Sequence, residues 1–107
     1  MSAVFEVSAY DRRRIRLTQA QWLHMAFFHP EVEAERARIR KTLENPEIVV
    51  EGATRNTQIC YRFFKRTPVT SKYLAVVIKV LNQEGFIITA YFTERVRRGK
   101  VLWKKTK

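Results

Sequence analysis

Residues 85–93, GFIITAYFT, alternate along an extended chain: Phe86, Ile88, Ala90 and Phe92 point to one side and Ile87, Thr89, Tyr91 and Thr93 to the other, because successive strand side chains face opposite ways. The first set predicts a core face. The second predicts an opposite face, rich in hydroxyls and open to solvent. Just upstream, SKYLAVVIKVL sets Tyr73, Val77 and Lys79 against Leu74, Val76, Ile78 and Val80. Only NQEG lies between Leu81 and Phe86, too short for a parallel crossover, so the two runs form an antiparallel hairpin. Matching their apolar sides places Lys79 beside Thr89 and Tyr91. In TQICYRFFKR, Arg62 lies between Cys60 and Phe64 while Tyr61 and Phe63 alternate with them, so pattern alone does not set its face.

Working outward, EIVVEG and KVLWKK read as further strands, and VFEV with RIRL as a short extended hairpin over residues 3–17. Between these regions the period changes. Thr18 is placed to cap a helix over residues 19–29, and Pro30 ends it because the residue before proline is pushed out of the α region. Pro30 also suits the first turn of a second helix over residues 30–44, with Glu31 and Glu33 at its positive end and Asn45–Pro46 as its stop. On that helix Val32, Ile39 and Leu43 share one stripe, and Arg36 projects into it. Such a guanidinium either snorkels to a carboxylate or reaches a phosphate. The expected architecture is α+β: two N-terminal helices on one face of a curled antiparallel sheet of four to five strands.

The 107 residues suit one domain, 1–107, and a 46% hydrophobic content is enough for a folded core. Lys and Arg number 21 against 10 Asp and Glu, a formal charge of +11. That excess fits a polyanion, and phosphate backbones are the commonest match because each neutralised phosphate releases counterions. No lone basic amphipathic helix argues for a membrane surface. The first residues lack a signal-length apolar run and no stretch approaches a membrane span, so the expected compartment is the cytoplasm. Cys60 is the single cysteine, which rules out an internal disulfide and a thiolate metal cluster within one chain. His24 and His29 are five apart, roughly 140° around a helix, which does not suit joint ligation of a metal. No phosphate-binding glycine loop, zinc-protease or serine-hydrolase motif occurs.

The order VFEV, RIRLT, WLHMAFFHPEV, TLENPEIVVEG, YLAVVIKV and FIITAYFTERVRRGKVLW resembles a family of small phage and bacterial proteins assigned to the barnase, EndoU, colicin and RelE-like (BECR) nucleases. The likeness covers nearly the whole chain and is strongest at HPE and at ITAY with its following basic turn. It implies endoribonuclease activity, toxin-type or phage-encoded, with no metal or other cofactor. Carried onto this chain, His29 matches the HPE histidine, His24 the earlier one, and Thr89 and Tyr91 the late-strand pair, with Lys79 on the preceding strand. Arg36 and Arg62 join on periodicity alone, and Arg97, Arg98, Lys100 and Trp103 are assigned to RNA binding. The expected partners are RNA and an acidic protein antitoxin or inhibitor. Two other readings use the same fold: a non-catalytic RNA or DNA binder with Trp103, Tyr91 and Tyr73 as stacking surfaces, and a protein-interaction domain.

Overall fold

The structure is a computed structural model and describes residues 3–106. These residues form β1 (Ala3–Ser8), β2 (Arg14–Thr18), α1 (Gln19–Phe28), a 3₁₀ turn (Pro30–Val32), α2 (Arg36–Glu44), β3 (Ile48–Glu51), β4 (Thr57–Phe63), β5 (Tyr73–Leu81), β6 (Glu84–Thr93) and β7 (Val101–Lys104). The strands make one sheet in the order β1-β2-β6-β5-β4-β3-β7. Among the described residues no helix is long and apolar enough to cross a membrane.

The expected two N-terminal helices on an antiparallel sheet of four to five strands are not what forms. The described residues make a seven-stranded mixed sheet, and the helices follow the β1–β2 hairpin instead of preceding the sheet. The hairpin, read in isolation, joins the main sheet: β2 runs parallel to β6, with Arg14, Ile15 and Arg16 opposite Glu84, Gly85 and Phe86. Short connections require antiparallel pairing only between consecutive strands. β2 and β6 are separated by both helices and three strands, so that rule does not govern them.

Thr18 caps α1 as expected, its hydroxyl accepting from the Gln21 N–H at 3.2 Å. The second helix is broken. Val32, Glu33 and Glu35 donate to the carbonyls of His29, Pro30 and Val32, three residues back in each case. Glu35, at φ −115° and ψ 25°, then leaves helical geometry before α2 begins. The break lets Val32, Ile39 and Leu43 all reach the core while turning Arg36 out of their stripe.

Both helices and the turn pack on one face, where Trp22, Met25, Val32, Ile39 and Leu43 meet Val49, Cys60, Leu74, Val76, Ile78, Ile87, Ala90 and Phe92. The opposite face is not open. Val50, Ile59, Tyr61 and Ala75 are buried there, with Tyr73, Val77, Tyr91 and Val96 packed against them. The residues between β6 and β7 cross this face to reach β3, and the Arg97 N–H donates to the Tyr61 hydroxyl at 3.1 Å.

A bulge in β6 alters the facing of GFIITAYFT. Val77 pairs with Thr89 but Ile78 pairs with Ile87, so Ile88 is the unmatched residue. Ala90 and Phe92 lie under the helices as the alternation predicts, and Tyr91 joins the opposite cluster. Before the bulge the phase is inverted: Ile87 enters the helix-side core, and Phe86 pairs with Lys79.

Candidate functional site

The β2–β6 pairing ends at Phe86, and α1 covers the next part of the β6 edge. Gln21 ties the two together, its side-chain amide donating to the Ile88 carbonyl at 2.5 Å. The bulge at Ile88 thus shapes the place where helix and strand meet. Between them lies an open cleft of about 570 Å³ lined by Gln21, His24, Phe28, His29, Ile88 and Thr89. Its volume is in the range of ligand sites.

His29 ends α1 at φ −134° and ψ 70°, outside the helical region, with its N–H donating to the Met25 carbonyl. Proline at position 30 accounts for this conformation. The imidazole stands 5.6 Å from the Tyr91 ring, centroid to centroid, and its Nδ1 is 3.7 Å from the Glu31 carboxylate. At this distance the two groups are not hydrogen-bonded. His24 lies five residues earlier, 4.7 Å from the Phe28 ring. His24, His29 and Thr89 therefore share one cleft, and Tyr91 adjoins it through His29.

The remaining expected residues are elsewhere. Lys79 pairs with Phe86, not with Thr89 or Tyr91, because the hairpin register sets Val77 opposite Thr89 and Ala75 opposite Tyr91. Its ammonium donates to the Arg55 carbonyl at 2.9 Å. Arg36 is exposed over the Trp22 ring, 4.5 Å from its centroid. Arg62 donates to the Asn45 carbonyl at 2.7 Å, and Asn45 is the C-cap of α2, so this guanidinium stabilises a helix end. Arg97, Arg98 and Lys100 are exposed on the crossing connection. Trp103 packs on the helix-side core, its ring 5.2 Å from Tyr10. β7 is four positions from β6 in the sheet, about 19 Å at the usual strand spacing, so Trp103 does not reach the cleft.

Gln21, Phe28 and Ile88 are the cleft residues that the sequence reading missed. A signal for Phe28 is present: α1 reads QAQWLHMAFF, with apolar residues around the whole helix and no Asp, Glu, Lys or Arg. A helix packed by one face alone does not need that pattern. No lining residue is Lys or Arg, and among the described residues no group of three or more His, Cys, Asp or Glu is placed to hold a metal ion. Comparison with family models, curated proteins and solved structures finds no match to this chain.

Proposed function

We propose that the chain cleaves RNA at the His24–His29 cleft, the reaction that the resemblance to BECR nucleases implies. The observation that carries this reading is two imidazoles lining one open volume together with the Thr89 hydroxyl. Cleavage by an internal nucleophile needs one base and one acid. A neutral imidazole takes the proton from the 2′-hydroxyl as O2′ bonds to the adjacent phosphorus. The P–O5′ bond breaks, and the other imidazole, protonated, delivers its proton to O5′. The products are a 2′,3′-cyclic phosphate and a 5′-hydroxyl. Thr89 and Tyr91 offer hydrogen bonds to the phosphoryl oxygens, and the imidazolium supplies positive charge beside them.

The basic crossing connection supports RNA as the substrate. Val96 packs in the same cluster as Tyr91, so Arg95, Arg97 and Arg98 are carried over the face that Tyr91 occupies. They are suited to tracking the phosphates that flank the cleft. The cleft lining itself holds no Lys or Arg, and this favours the second reading, an RNA binder without cleavage.

The deciding experiment incubates pure protein with mixed RNA in the presence of chelator. Cyclic phosphate ends are expected, and His29→Ala should slow their formation by roughly 10² to 10⁴, the usual worth of a positioned acid or base. RNA affinity should change little. Equal cleavage by wild type and the His24→Ala, His29→Ala double variant would refute the site, and binding without any wild-type cleavage would establish the second reading.

A further inference from the structure

The two most exposed aromatic rings are in contact with each other, and one of them, Phe28, lines the cleft. Phe27 is 78% exposed and Phe28 60%, although burying such rings normally drives folding. Their planes meet at 86° with centroids 5.0 Å apart. Phe28 also lines the cleft and touches the His24 ring. Neither ring is needed by the core, whose α1 contributions are Trp22 and Met25.

We infer that Phe27 and Phe28 form a stacking platform for an unpaired base next to the phosphate held at His24 and His29, making single-stranded RNA the preferred ligand. The inference rests on the RNA reading above and deepens it. An aromatic ring stacks on any base because every base has a π-face, whereas bases in a duplex are already stacked and their faces are unavailable. The electrostatics agree with an RNA occupant. α1 carries no carboxylate of its own, and the Glu31 carboxylate beside His29 is set against a whole-chain charge of +11. A strand with one base on Phe28 has its neighbouring phosphate near the imidazoles, since His24 and Phe28 are in ring contact. Leu23, equally exposed at 60%, does not line the cleft and has no π-face. It is the internal control.

The test measures fluorescence anisotropy with a labelled 2′-O-methyl RNA strand, which lacks the nucleophile and stays intact, alone and annealed to its complement. The wild type is expected to bind the single strand about tenfold or more tighter than the duplex. Replacing both rings (Phe27→Leu, Phe28→Leu) keeps apolar area but removes the π-faces, and should weaken single-strand binding roughly 5- to 100-fold while leaving the duplex unchanged. The Phe27→Tyr, Phe28→Tyr variant should keep wild-type affinity, and so should Leu23→Ala. Equal single-strand affinity in the wild type and the double-leucine variant, or equal wild-type affinity for strand and duplex, would overturn the platform and leave the cleavage reading standing. A loss with Leu23→Ala as large as with the double-leucine variant would also overturn it, showing that apolar area in general and not a π-face meets the strand. Absence of RNA binding by the wild type at low salt would overturn both.

Discussion

Cys60 has no water contact in the helix-side core, and burial pushes its thiol above the usual range. Tyr10 and Tyr61 are raised by burial too; for Tyr61 the Arg97 hydrogen bond works the other way. A group raised in the folded state loses its proton first in the unfolded chain. The stability linked to it is complete below its unfolded value and disappears as pH rises past that value. For Cys60 the loss begins near pH ~8.5, the ordinary thiol range, and for the tyrosines near ~10. The urea midpoint should therefore decline above about pH 8.5. Lysine deprotonation relieves self-repulsion at higher pH and opposes the trend, so the informative comparison is Cys60→Ala, whose midpoint should decline later. Identical pH profiles for the two proteins would show that the thiol contributes nothing to this linkage.

Among the elements, the β5–β6 hairpin deserves the closest mutational test, because it carries both the bulge and Thr89. Gly85 sits where a Cβ would lie 2.3 Å from the Lys79 carbonyl oxygen and 3.0 Å from Ile15 Cδ1. The carbonyl belongs to the paired strand and cannot swing aside, so this position needs glycine for space. Gly85→Ala is expected to lower the unfolding free energy by about 1–3 kcal/mol or more, measured by urea denaturation, with the cleft losing support as β2 and β6 part. Unchanged stability would mean that the hairpin shifts freely at this point. The alternation of residues 85–93 made a strand legible, and Thr18, Pro30 and Asn45 marked helix ends. The bulge was not legible: Ile87 and Ile88 are chemically alike, and only the fit against β5 and Gln21 decides which of them faces the core.

At the scale of the whole molecule, the charge of +11 makes a claim about binding that does not depend on catalysis. Each phosphate neutralised releases counterions, so RNA affinity should fall by at least about tenfold between roughly 50 and 200 mM salt. The steepness reports the number of phosphate contacts. A flat titration would make the charge a property of the surface alone. The basic side chains are also not equivalent. Arg62 and Lys79 are tied to backbone carbonyls, whereas Arg97, Arg98 and Lys100 project from the crossing connection, so most of the salt response should come from the latter group.

Local chemistry in the sequence determined the period-two strands, the capped helix ending at His29 and the basic balance, because each depends on residues within a few positions of one another. His24 and His29 were identifiable as candidates by type and by the HPE resemblance. Tertiary structure alone decided that β2 lies parallel to β6, that the second sheet face is covered, that Arg36 stands over Trp22, and that Lys79 stays apart while Gln21 and Phe28 line the cleft. Those outcomes follow from competition among distant segments for the same surface. A pairing between residues some 70 positions apart, or a one-residue bulge that rotates every side chain before it, leaves no mark on local periodicity.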